Sequence, residues 1–117
     1  MGDALDPAVL DNLRQLTPPG EPDVLTEVLT LFLDEAPKRI GKLRAAVAAG
    51  DAVELQRAAH SLKGSAGNIG ARALYDVCAR LDEIGKAGDI AAAGLVLTRL
   101  DQEFARAETA IRMELKG

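Results

Sequence analysis

The sequence predicts an all-α domain: an antiparallel up-down four-helix bundle with an additional short N-terminal helix. Three observations predict it. Of 117 residues, 21 are Ala and 17 are Leu, both strong helix formers. Val, Ile and Thr together number only 17, and Tyr and Phe add three, too few of the β-branched and aromatic residues that strands favour. Apolar residues recur at three- and four-residue spacing through long segments joined by short Gly- and Asp-containing turns, which sets neighbouring helices antiparallel. The length suits one domain with one core, spanning 1–117, and is too short for a catalytic domain with a separate regulator.

Each element has its own signals. Asp6-Pro7 reads as an N-cap followed by proline at the first helical position, opening a short helix over about 7–16 with Val9, Leu10, Leu13 and Leu16 on one face. Thr17-Pro18-Pro19-Gly20 ends it. The bundle then occupies about 22–115. Its first long helix starts near Pro22-Asp23 and keeps Leu25, Val28, Leu29, Phe32, Ala36, Ile40, Leu43 and Val47 in phase up to Gly50. Pro37 does not shift that phase, so it implies a kink in one helix and not a break. Asp51 caps the next helix, and Glu54 three residues on resembles a capping box. That helix buries Leu55, Ala59, Leu62, Ala66 and Ile69 and stops at Gly70. The following one carries Leu74, Val77, Cys78, Leu81 and Ile84 and ends in Gly85-Lys86-Ala87-Gly88. Asp89 is expected to cap the last helix, whose apolar positions run 93, 97, 100, 104, 107, 111, 115.

Composition removes several function classes. A net charge of −4 disfavours nucleic acid, because phosphate backbones need a basic surface. Residues 1–36 carry eight acids and one base, a balance that suits solubility and helix starts. The lone Cys78 excludes an internal disulfide and a multi-cysteine metal site, and no metal or cofactor site of the chain's own is expected. The longest uncharged apolar-leaning stretch, Ile90 to Thr98, is too short to insert in a membrane. A soluble, cytoplasmic monomer follows as the expectation.

The only histidine, His60, falls mid-helix on the wrong side. At 100° per residue it points roughly 140° from the centre of the apolar face, so it faces solvent. A lone exposed histidine is most often an ordinary surface residue. Its neighbours argue otherwise: Gly64 and Gly67 flank it on the same exposed face, each costing roughly 0.8–1 kcal/mol of helix propensity. Missing side chains there let another molecule approach the imidazole. Lys63, one turn on, can reach an anion held at the ring. Ser61 and Ser65 read as helix-surface residues, and with no second histidine a serine-hydrolase triad is excluded. The set suits nucleophilic attack by neutral imidazole on a phosphoryl group. The chain has no glycine-rich nucleotide loop, so the phosphoryl group must come from one protein and go to another.

Ala59-His60-Ser61-Leu62-Lys63-Gly64-Ser65-Ala66-Gly67-Asn68-Ile69-Gly70-Ala71 resembles the signature of histidine-containing phosphotransfer (HPt) domains of bacterial two-component phosphorelays. The resemblance extends over nearly the whole chain, through Leu5-Asp6-Pro7, Leu31-Phe32-Leu33-Asp34-Glu35-Ala36-Pro37, Ala49-Gly50-Asp51, Leu81-Asp82 and Ala87-Gly88-Asp89. It implies that His60 is the phosphoacceptor through Nε2, that Lys63 contacts the phosphoryl oxygens, and that Gly64 leaves room for the partner. Asp82 stands where members often place Gln or Glu. One methylene shorter, it would orient the imidazole directly or through a water, or else remain a solvated helix residue. Arg57, Ser61, Gly67 and Arg80 are candidates for the partner-facing rim.

The implied partners are response-regulator receiver domains, which supply a phosphoaspartate and Mg²⁺, and a hybrid sensor histidine kinase. The chain is then a phosphoryl carrier and not an enzyme, either free-standing or the cytoplasmic C-terminal domain of a membrane-bound kinase. Two alternatives stand beside this. A similar His-Ser-Leu-Lys-Gly core occurs in the phosphoacceptor domain of chemotaxis kinases, labelled directly by an ATP-bound kinase domain. A helical binding module that no longer transfers phosphate is the other.

Overall fold

Five α-helices follow one another in a computed structural model that describes residues 3–116. They are α1 (Pro7–Gln15), α2 (Val24–Ala49), α3 (Ala52–Asn68), α4 (Arg72–Ala87) and α5 (Ala93–Lys116). No strand occurs among the described residues, and no helix is long and apolar enough to cross a membrane. Helices α2 to α5 form the up-down bundle, with each packed on its neighbours in sequence and α5 closing against α2.

The helix starts follow local chemistry. The Asp6 carboxylate accepts from the Ala8 N–H at 3.0 Å, with Pro7 at the first helical position. Asp23 accepts from Leu25 N–H and from the Thr17 and Thr26 hydroxyls, while Thr17 Oγ1 takes the Val24 N–H. Asp51 caps α3 by accepting from Glu54 N–H at 3.0 Å. Its own N–H donates to Ala46 O, closing a Schellman turn over Gly50 (φ 68°), so the second half of a capping box has no donor left to satisfy. Glu54 instead lies 3.7 Å from Arg57.

α2 runs unbroken through Pro37 for 26 residues. The proline is exposed, so the carbonyl it leaves without a helical donor can turn to water. Two expectations are corrected. Asp89 makes no capping bond; a single 3-10 turn, Ile90–Ala92, intervenes and α5 begins at Ala93. α4 ends within the Gly85–Gly88 segment as expected, its last helical residue being Ala87 and its left-handed cap Gly88 (φ 72°). In α5, Val96 is buried while Leu97 and Phe104 are only partly so and Leu115 is exposed.

The core is continuous from Leu5 and Leu10 through Leu29, Leu43, Leu55, Leu62, Leu74, Leu81 and Leu100 to Ile111. α1 lies across the end of the bundle where α3 turns into α4. Gly70 (φ 71°) makes that turn, its carbonyl accepts from Asp6 N–H at 2.9 Å, and a side chain there would strike Asp6 and Val9. Ion pairs Arg72–Asp6 and Arg14–Glu114 tie the same end to α4 and α5. The most extensive helix contact in the molecule is α3 with α4, and it carries the site.

Candidate functional site

Gln56, His60 and Lys63 recur at i, i+4 and i+7 and therefore form one stripe on α3. On α4, Asp82 faces that stripe. The His60 side chain is 65% exposed, whereas Asp82 is 1% exposed: a solvent-facing imidazole leaning on a buried carboxylate. Asp82 Oδ2 lies 3.2 Å from His60 Nδ1 and accepts from Lys63 Nζ at 2.9 Å. Oδ1 accepts from Gln56 Nε2 at 2.9 Å, with Lys86 Nζ further out at 3.9 Å. Asp82 is thus a direct partner of the imidazole; the reading of it as a solvated helix residue does not hold.

One shortened side chain reaches because the helices are close. A Cβ on Gly85 would sit 2.7 Å from Gln56 N and Cβ and 2.8 Å from its Cα. Main chain and not a flexible side chain occupies that space, so glycine is required for this approach of α3 to α4. The approach brings Asp82, three residues before Gly85, within hydrogen-bonding range of α3.

The electrostatics of the cluster decide its protonation. Burial pushes the Asp82 carboxyl up, but hydrogen bonds from Gln56, Lys63 and His60, with the Lys63 charge, outweigh it and hold the group well below the usual carboxylate range. Lys63 is raised in turn, chiefly by its bond to Asp82. At neutral pH Asp82 is therefore a carboxylate and only accepts hydrogen bonds. A neutral His60 facing it must carry its proton on Nδ1, which leaves the Nε2 lone pair outward. Around it the surface is open: nothing lies within 4 Å of a Cβ built on Gly64. The arrangement can hold a nucleophilic imidazole nitrogen at the surface, stabilise the positive ring that attack creates, and present an ammonium beside it.

The other sequence candidates are placed unequally. Gly67 meets the domain's own Tyr75, whose Cδ2 lies 3.3 Å from a Cβ built there, so its missing side chain serves an internal contact. Ser61 is half-buried, and its carbonyl accepts from the Ser65 hydroxyl. Arg57 is exposed on α3, one turn before Ser61. Arg80 is not brought to the histidine: it lines a groove of about 430 Å³ between α4 and α5 with Asp76, Leu95 and Arg99, because it projects from α4 on the side away from Asp82. Gln56, Gly85 and Lys86 escaped the sequence reading. Their signal was spacing, Gln56 one turn before His60 and Lys86 one turn after Asp82.

Comparisons with known proteins agree on one family. The family model described as the Hpt domain matches residues 27–110. Histidine-containing phosphotransfer protein 5 of Arabidopsis thaliana is 36% identical over 81 residues, covering 63% of this chain and 52% of that protein. Histidine-containing phosphotransfer protein 2 of the same plant is 27% identical over 103 residues, covering 86% and 66%. The chain thus spans between about half and two thirds of these curated relatives, 52% and 66% of their lengths. The crystal structure of histidine-containing phosphotransfer protein B (HptB) from Pseudomonas aeruginosa superposes with a TM-score of 0.90 at 30% identity, covering 99% of this chain and 97% of that one. MtHPt2 from Medicago truncatula shares the fold, with a TM-score of 0.78 at 24% identity over 97% of this chain and 82% of that one.

Proposed function

The chain belongs to the HPt domain family, and from that premise we propose that it accepts a phosphoryl group on His60 from the phosphoaspartate of one receiver domain and passes it to a second. The observation that carries this reading is the pairing of exposed His60 with buried, ionised Asp82. An ionised Asp82 beside Nδ1 favours the Nδ1–H tautomer, which supports Nε2 as the nucleophile.

In the forward step the Nε2 lone pair attacks phosphorus, an N–P bond forms, and the bond from phosphorus to the partner's carboxylate oxygen breaks with its electron pair. No proton moves. The ring becomes positive with its hydrogen still on Nδ1, and the Asp82 carboxylate stabilises that charge. Lys63 supports the phosphoryl oxygens, and Gly64 admits the partner. The return step reverses each bond. Mg²⁺ and the acidic groups that hold it belong to the receiver, and phosphorylation by ATP belongs to a separate kinase domain.

Docking places apolar surface around the histidine with polar contacts at the rim. Leu31, 59% exposed on α2, shares a cleft with Glu35, Ser65 and Asn68 on the α2 side of α3 and supplies the apolar part. Arg57 and Ser61 belong to the rim; Gly67 lies beside Tyr75, and Arg80 lines the α4–α5 groove. The protein acts as a monomer in the cytoplasm.

Incubation with a phosphorylated receiver domain tests this. The expected product is acid-labile, alkali-stable phosphate on the chain, absent in His60→Gln with helical circular dichroism unchanged. Labelling by ATP and a kinase domain, but by no phosphorylated receiver, would move the protein to the chemotaxis-kinase type. Labelling by neither would leave a binding module.

A further inference from the structure

Gln56 carries no charge and hydrogen-bonds to Asp82 Oδ1, while the imidazole faces Oδ2. Oδ2 is held by Lys63 at 2.9 Å and faces His60 at 3.2 Å. Among the described residues Gln56 gives Oδ1 its one hydrogen bond, at 2.9 Å, while the Lys86 ammonium stands 3.9 Å away with a 65% exposed side chain. A buried carboxylate oxygen stripped of its donor is costly. Without Gln56 the carboxylate gains by rotating to share its oxygens between the two ammonium groups. The contact surrendered first is the longest, that to His60 Nδ1.

The donor types differ in a way that matters during transfer. Lys63 is a flexible cation and is drawn toward any dianionic phosphoryl group that arrives at Nε2. A neutral amide is not. Gln56 is also seated by the backbone: its N, Cα and Cβ fill the space over Gly85, so its side chain starts from a fixed point on the α3–α4 contact.

We propose that Gln56 is a positioning residue. It pins Oδ1 of Asp82 so that Oδ2 keeps the Nδ1–H tautomer of His60, and it continues to do so when Lys63 turns to the phosphoryl group. This rests on His60 as the phosphoacceptor, but its first test does not need a phosphodonor.

Gln56→Leu keeps the bulk over Gly85 and removes the donor. Long-range ¹H–¹⁵N correlations of the His60 ring, recorded at a pH where imidazole is neutral, read the tautomer directly. The expected result is a loss of Nδ1–H in favour of Nε2–H, with circular dichroism unchanged. Transfer from a phosphorylated receiver should slow by about tenfold, the scale on which outer partners of a functional imidazole act. Because Gln56 works through Asp82, Gln56→Leu should add nothing in an Asp82→Asn background. A wild-type tautomer ratio in Gln56→Leu would overturn the proposal, as would an equal slowing with and without Asp82. Gln56→Met, also without a donor, repeats the measurement if the leucine variant does not fold. If the wild-type chain takes no phosphate from receivers, the proposed function fails while the tautomer ratio still decides the role of Gln56.

Discussion

Two glycines inside helices should respond in opposite directions to the same substitution, and the structure gives the reason. Propensity alone predicts that Gly→Ala stabilises a helix interior by roughly 0.8–1 kcal/mol. At Gly64 nothing lies within 4 Å of the added carbon, so Gly64→Ala should gain that amount. At Gly85 the added carbon would lie 2.7–2.8 Å from Gln56 backbone atoms and Cβ, where carbon contacts need about 3.5–4.0 Å. The helices must part by roughly 1 Å, and overpacking of this kind costs about 1–3 kcal/mol. With rigid backbone as the obstacle, the upper part of that range applies, leaving a net loss of about 1–2 kcal/mol after the propensity gain. For a domain of this size, about 4 °C of Tm accompanies each kcal/mol. Thermal unfolding followed by circular dichroism should therefore show Gly64→Ala rising by about 4 °C and Gly85→Ala falling by about 4–8 °C. The same separation lengthens the 3.2 Å contact between Asp82 and His60, so phosphotransfer should slow in Gly85→Ala. A Gly85→Ala protein as stable as the wild type would refute the claim that main-chain approach at this point builds the site.

Three further outcomes follow from the cluster and the core. Lys63→Ala should keep the fold and reduce the rate of transfer in receiver-labelling time courses, and an unchanged rate would remove the lysine from the phosphoryl site. The Asp82 carboxyl is lowered in the folded state, so the unfolded chain binds more protons in acid. Its stabilisation is complete above the ordinary carboxylate range and is lost as pH falls through that range toward the folded value. Urea titrations from about pH 5 downward should show that decline, and Asp82→Asn should flatten it. Burial pushes the Cys78 thiol up to about 12, which predicts no reaction with a thiol reagent at pH 8 until denaturant is added. Rapid labelling of the native protein would contradict its place in the core.

Helix positions were readable because caps and periodicity are local. Asp6, Asp23 and Asp51 each accept from a backbone N–H at the helix start they mark. Asp89 was not readable, because an aspartate after Gly88 looks the same whether it opens an α-helix or a 3-10 turn. The exposure of His60 followed from its angle on one helix. Its partner did not, since Asp82 lies on another helix, and side-chain length alone could not say whether it would reach. Gly85 looked like punctuation beside Gly88, and only the neighbouring helix gives it a different meaning. Gly67 shares the outward face of α3 with His60 but lies beside Tyr75, and helix rotation turns Arg80 to the α5 groove; both contacts come from α4 and α5, beyond the reach of a local pattern.

Helical class, helix order and the outward angle of His60 are legible in the amino-acid sequence alone. Each of these depends on residues within one or two turns of one another. The physical reason for an Nδ1–H tautomer at His60 is visible once the helices are packed. The ionised state of Asp82, its reach to Nδ1 and the support of Gln56 all arise where two helices approach over Gly85. That distance is set by packing between segments some 25 residues apart, which no local pattern encodes.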